Sequence, residues 1–218
     1  MFSEARKNMV DGQIHTASVT DPNILQAFET VPREVFVPEK LKNVAYTDAN
    51  LDLGQGRYLL DPIVYARMLQ FCAPHSDDVA LDVASGSGYS SIILSRLVKT
   101  VISLEKNKRQ RDKCERVIQS LNVCNVMQVD GGITLGADEY APYSLIVING
   151  AVSEVPAKIL NQLDVGGRLI CVLKSDGCSK GTATLFSKSQ SGNVSMKVLF
   201  DASVPVLAEF AGETEFAL

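Results

Sequence analysis

Along this chain, short apolar runs alternate with stretches whose apolar residues recur every three or four positions. The runs at 79–83, 100–105, 125–129, 144–149 and 167–173 read as strands. Helical spacing fills 89–98, 107–121 and 155–163. Alternation of this kind predicts parallel βαβ units. Two last β-like runs, 182–188 and 196–200, flank the turn Gln190-Ser-Gly-Asn193 and predict an antiparallel hairpin. The expected fold is α/β and doubly wound, a mostly parallel seven-stranded sheet closed by that hairpin.

The first third of the chain patterns differently. Asp21-Pro22 and Asp61-Pro62 each place an N-cap before a proline at the first helical position. The first pair opens a helix carrying Ile24, Leu25, Phe28 and Val31, which Pro32 stops; the second opens one reaching about Phe71. An earlier helix is expected over 3–14, while 33–60, including Gly54-Gln-Gly56, reads as irregular. No repeat or low-complexity linker interrupts the chain. It reads as one domain, 1–218, with a helical N-terminal lobe (1–75) laid over an α/β core (76–218).

Composition narrows the setting. With 218 residues, 46% of them apolar, the chain can bury a substantial single core. No run approaches the ~18 apolar residues of a membrane span. No apolar segment follows the charged N-terminus, as a secretory signal would require. Five cysteines without a Cys-x-x-Cys pair, and only two histidines, point to reduced thiols and no zinc site. A cytoplasmic chain with no metal and no membrane partner is expected, its oligomeric state open. The net charge of −4 argues against nucleic acid as a partner. The basic cluster from Lys106 to Arg116 reads as the solvated face of an amphipathic helix.

Candidate chemistry gathers at Val79-Ala-Leu-Asp-Val-Ala-Ser-Gly-Ser-Gly-Tyr89. Gly86 and Gly88 lack Cβ atoms, so a ligand can approach the main chain at the start of a helix. Glu105 ends the next strand, where a carboxylate can accept hydrogen bonds from both hydroxyls of a ribose. The third strand ends in Asp130-Gly131, which is also a favoured turn dipeptide anywhere. Dinucleotide turns read Gly-x-Gly-x-x-Gly; Ser91 takes the place of the third glycine and disfavours an NAD-linked oxidoreductase.

The pattern Asp82-x-x-x-Gly86-x-Gly88 resembles instead the S-adenosylmethionine turn of class I methyltransferases, whose fold is Rossmann-like. That resemblance implies that Asp82 orders the methionine end of the cofactor while Ala84, Ser85, Gly86, Ser87 and Gly88 pass beneath it. Glu105 and Lys106 would serve the ribose end, Asp130 and Gly131 the adenine, and Asn149 would face the transferring group. Ala84 stands where the family usually has glycine, and reduced clearance is expected there.

Longer blocks are similar to one family in particular, the protein-L-isoaspartate O-methyltransferases. They are Met9-Val-Asp-Gly-Gln-Ile14, Val31-Pro-Arg-Glu-Val-Phe-Val-Pro38, Ala45-Tyr-Thr-Asp48, Leu53-Gly-Gln-Gly56, Ala141-Pro-Tyr143 and Gln162-Leu-Asp-Val-Gly-Gly-Arg-Leu169. The resemblance implies S-adenosyl-L-methionine as cofactor and a damaged protein or peptide bearing L-isoaspartate as substrate. Its free α-carboxyl would be methylated, and the ester would promote repair through a succinimide. One departure matters. The family carries Thr-Ile-Ser-x-Pro before the second helix-opening proline, and its serine is regarded as an active-site group; here that position is Leu60. Tyr58 or Asp61 could supply a polar group nearby, although Asp61 is more simply an N-cap. Ser144 replaces a common Asp, and His15 falls where the family often has a basic residue but reads as a surface histidine. A different acceptor, or cofactor binding without turnover, are the rival expectations.

Overall fold

In the computed structural model, residues 1–210 are described; 211–218, which belong to the single domain expected above, lie outside them. The main sheet comprises β3 (Val79–Val83), β4 (Thr100–Leu104), β5 (Val126–Val129), β6 (Tyr143–Val152), β7 (Leu163–Leu173), β8 (Gly181–Lys188) and β9 (Val194–Ala202). Its order is β5-β4-β3-β6-β7-β8-β9. The first five pair in parallel, while β8 runs antiparallel to both β7 and β9. The chain therefore winds outward from β3 and then returns to β3's other side as β6. In an open α/β sheet, ligands bind where the order reverses, here beyond the carboxyl ends of β3 and β6.

Side-chain alternation divides the core. Ala80, Val101, Leu145 and Val147 face the cluster formed with the N-terminal helices, whereas Leu81, Val83, Ile102, Leu104, Ile146 and Ile148 face the opposite cluster with Ile159, Leu207 and Phe210. Parallel strands covered on both sides must be apolar on both, which is why they read as unbroken apolar runs.

The helices are α1 (Phe2–Met9), α2 (Pro22–Thr30), α3 (Pro62–Cys72), α4 (Tyr89–Ser95), α5 (Lys108–Ser120) and α6 (Ala157–Asn161). Both proline-led helices carry the expected cap. The Asp21 carboxylate accepts from the N–H groups of Asn23 and Ile24, and that of Asp61 from Ile63. Past α1 the backbone continues as a π-turn, Val10–Ile14, and a 3-10 turn, His15–Ala17.

Several boundaries differ from expectation, three of them around the site. Residues 33–60 are not wholly irregular: β1 (Leu51–Gly54) and β2 (Arg57–Leu59) form an antiparallel hairpin through a turn with positive φ at Gly54, Gln55 and Gly56. Helix α6 is shorter than 155–163, because β7 begins at Leu163. β6 runs on beyond Asn149 to Val152 because Gly150 lets the C-terminal segment cross it. A Cβ there would lie 2.4 Å from Cγ of Leu207, and Leu207 N–H donates to the Ala151 carbonyl at 2.9 Å.

Candidate active site

The floor of the site is set by Arg33, from the Val-Pro-Arg-Glu block. Its side chain is fully buried, Nε donating to the Ala45 carbonyl and Nη2 to the Leu60 carbonyl, each at 2.6 Å. The guanidinium also stacks over the Tyr89 ring, 5.0 Å from its centroid. Burial pulls the Arg33 pKa down, with Tyr89 opposing. A buried cation thus holds the main chain of position 60 in place. The Leu60 side chain is buried and apolar. Tyr58 lines the same small cavity, and Asp61 is engaged as the cap of α3. The Asp61 carboxyl sits above its ordinary pKa because burial outweighs the N–H groups of Ile63 and Val64.

Above this floor, the turn between β3 and α4 is built from left-handed residues, Ala84 at φ 58°, Gly86 at 55° and Gly88 at 90°. Gly88 cannot be replaced cheaply, since a Cβ would fall 2.1 Å from Sγ of Cys114. Ala84 holds a conformation that costs an L-residue about 1–2 kcal/mol. Alanine there carries backbone strain as well as the methyl from which reduced clearance is expected. Ser87 Oγ is buried and has no hydrogen-bond partner among the described residues.

Asp82 lies beneath the turn, fully buried. Its Oδ2 accepts from the hydroxyls of Ser90 and Ser91, and its Oδ1 from Asn149 Nδ2 at 2.5 Å. Burial pushes its pKa up to about 6, against the pull of those three donors. A hydroxyl chain continues from Ser91 through Ser103 to Ser85. Asp82 and Asn149 therefore tie the tips of β3 and β6 together across the switch point.

Glu105 is also buried and fully engaged. Its Oε2 accepts from Gly86 N–H at 2.9 Å and from Arg57 Nε at 2.8 Å, and its Oε1 from Asn107 N–H at 2.8 Å. Arg57 comes from β2 and reaches Glu209 with its other nitrogens, at 2.8 and 3.3 Å. Burial depresses the Arg57 pKa, but Glu209 and Glu105 more than restore it.

The third strand tip is linked to the second through Arg111, whose Nη1 donates to the Glu105 and Lys106 carbonyls, each at 2.7 Å, as well as to Asp130. Asp130 is exposed, held by both Nη atoms of Arg111 at 2.8 Å, and it lines a separate groove with Lys108, Gln119 and Met127. Gly131 packs on Leu104, and the Lys106 side chain is exposed. His15 is exposed, and Ser144 sits at the opposite end of the sheet, bonded to the main chain of Val79. Sequence reasoning did not single out Arg33, Arg57 or Glu209. Only Arg33 had a signal, its place in the Val-Pro-Arg-Glu block.

A mostly parallel sheet of this order, with a glycine turn and a strand-end carboxylate at the switch point, is a Rossmann-like frame of the kind class I methyltransferases use. The chain matches the profile of the protein-L-isoaspartate(D-aspartate) O-methyltransferases over residues 4–208 and belongs to that family. Protein-L-isoaspartate O-methyltransferase 2 of Pelobacter propionicus is 36% identical over 76% of this chain and 73% of its own length. Protein-L-isoaspartate O-methyltransferase of Petrotoga mobilis is 29% identical over 96% of this chain and 98% of its own length. A solved protein-L-isoaspartate O-methyltransferase superposes with a TM-score of 0.80 at 25% identity, covering 92% of this chain, which spans 65% of the solved one. A Plasmodium falciparum chain assigned to the same family and solved with S-adenosyl-L-homocysteine shares the fold, with a TM-score of 0.77 at 20% identity and coverage of 94% and 98%.

The side chains fit the family's S-adenosyl-L-methionine in kind. Glu105, the main chain of Gly86 and the unpartnered Ser87 hydroxyl are hydrogen-bonding groups of the sort an adenosyl ligand takes up. The space is occupied by the protein itself. The cavity lined by Leu53, Tyr58, Leu60, Tyr65, Tyr89 and Asn149 holds about 10 Å³, which is room for about one water molecule. Leu53 and Arg57 lie against Gly86, 3.3 and 3.6 Å from where a Cβ would stand.

Proposed function

We propose that this chain methylates the free α-carboxyl of L-isoaspartyl residues in damaged proteins and peptides, with S-adenosyl-L-methionine as donor. The observation that carries this reading is Arg33. The most family-specific block of the sequence folds directly under the cleft and fixes the main chain of position 60 through a 2.6 Å bond. Tyr58, Asp61, Asp82, Ala84, Ser85, Gly86, Ser87, Gly88, Glu105, Lys106, Asp130, Gly131 and Asn149 remain the residues assigned to the site, Leu60 being its altered member.

When bound, the sulfonium supplies an already electrophilic methyl group, so an acceptor carboxylate needs no general base. The protein's task is alignment and exclusion of water. Glu105 and the Gly86 main chain would hold the ribose end. Asp82, through Ser90, Ser91 and Asn149, fixes the turn above it. Leu60, Tyr65 and Tyr89 wall the cleft. Leu60 offers the acceptor no hydrogen bond, so slow transfer is expected, not absent transfer. A cytoplasmic location accords with this reading; no helix among the described residues is long and apolar enough to cross a membrane.

The test is transfer of isotopically labelled methyl to matched isoaspartyl and aspartyl peptides at high enzyme concentration. Label in the isoaspartyl peptide alone supports the reading. Equal background in both rejects it in favour of another acceptor or a non-catalytic protein.

A further inference from the structure

The carboxylate best placed for a ribose is already occupied, by a cation from the chain itself. Arg57 is almost fully buried, bonded through Nε to Glu105 and through both Nη atoms to Glu209. One guanidinium thus joins three distant segments: the β1–β2 hairpin, the tip of β4 and the 3-10 turn Ala208–Phe210. Glu105 has three of its acceptor positions filled by Arg57, Gly86 and Asn107, leaving too little capacity for two ribose hydroxyls.

The hairpin is tied at its base and light at its tip. Asn50 Oδ1 accepts from Asp61 N–H and its Nδ2 donates to Ser203, while Arg33 holds Leu60. Beyond the base, the tip is retained by Arg57, by Leu53 lying on Gly86, and by Gln110 donating to the Leu53 carbonyl at 3.1 Å. Its turn is exposed at Gln55 and Gly56, and a Cβ at Gly54 or Gly56 would meet no atom of the described residues within 4 Å.

We infer that Arg57 is a gating residue: it occupies the ribose carboxylate as an internal ligand, and cofactor enters only when the 51–59 hairpin releases Glu105. This rests on the cofactor reading above. Glu209 makes the C-terminal segment part of the same latch. A site closed by its own residue binds with an affinity reduced by the fraction of molecules that are open. Weakening the latch therefore tightens binding, whereas removing a genuine cofactor contact loosens it.

The experiment measures S-adenosylhomocysteine by calorimetry, and backbone hydrogen exchange over 51–59, in the wild-type chain, Arg57→Gln and Glu209→Gln. Expected results are at least about tenfold tighter binding for Arg57→Gln and about threefold for Glu209→Gln. Exchange over 51–59 should be faster in both unliganded variants, and faster in the wild type once ligand saturates it. Glu209 is partly exposed, so its variant keeps the test open if Arg57→Gln does not fold. Unchanged or weaker binding in the variants, or slower exchange on binding, overturns the gate. Faster exchange with no binding in any of the proteins overturns the cofactor reading, and the competition with it.

Discussion

Arg33 Nη2 donates to the carbonyl of Leu60 at 2.6 Å, linking residues 27 positions apart inside the apolar floor of the cleft. The same guanidinium donates to Ala45, and nothing about it reaches solvent. Substituting Arg33→Met leaves both carbonyls buried without those donors. Loss of hydrogen bonds to a charged group costs about 1.5–3 kcal/mol each. A destabilisation of about 3 kcal/mol or more is expected, read as a lower urea midpoint at unchanged m-value. A shift below about 1 kcal/mol would show that the floor does not depend on Arg33.

Leu60→Ser should move activity and stability in opposite directions. The hydroxyl supplies the group that the family resemblance implies at this position, worth about 1.5–3 kcal/mol if it bonds a charged acceptor, or roughly a tenfold to hundredfold gain in turnover. Losing a buried leucine costs about 2–4 kcal/mol. Turnover of the isoaspartyl peptide should rise while Tm falls by several degrees. A fall in both would indicate that Leu60 belongs to a site rebuilt for another acceptor.

Asp82 gives a pH signature. Its pKa is about 6 in the folded chain against 3.8 as the ordinary value. The folded state therefore binds more protons than the unfolded state between those values, so stability falls as pH rises from about 4 to about 6 and levels off above. The change is on the order of 2–3 kcal/mol. Urea unfolding of the wild type and Asp82→Asn across pH 4–7 should show the wild type losing ground to the variant over that window. Parallel profiles would mean that the Asp82 carboxyl is not perturbed.

Two substitutions in one turn should differ in sign. Ala84→Gly relieves a left-handed alanine worth about 1–2 kcal/mol but adds unfolded-state entropy of about 0.4–1 kcal/mol. A net gain of about 0.5–1 kcal/mol is expected. Gly88→Ala meets both a φ of 90° and the Cys114 sulfur, and should cost several times more. Thermal unfolding of the pair settles it.

What the sequence disclosed follows from the range of each interaction. The β3 turn, both Asp-Pro helix starts and the parallel core are local or periodic, and they were legible. The five cysteines are free, with Cys72, Cys114 and Cys171 buried as their apolar runs implied. The β1–β2 hairpin was not legible, because Gly54-Gln-Gly56 divides two strands too short to show a period of two. Nor was the occupation of Glu105. Arg57 lies 48 positions from Glu105 and 152 from Glu209, and no spacing rule joins them. Of the three strand-end carboxylates expected at one crevice, Asp82 and Glu105 are buried at the switch point. Asp130 is exposed and paired with Arg111, the same side chain that donates to the Glu105 carbonyl.

The most direct measurement is mass spectrometry of a defined isoaspartyl peptide incubated with the chain and S-adenosyl-L-methionine. The account predicts one added methyl, labile to base, at the isoaspartyl carboxyl, followed by conversion to succinimide, with the aspartyl peptide unmodified. An isoaspartyl peptide that at no time carries the ester or succinimide mass and is not converted to its isobaric aspartyl isomer, as resolved by chromatography, or a base-stable methyl on either peptide, would contradict it.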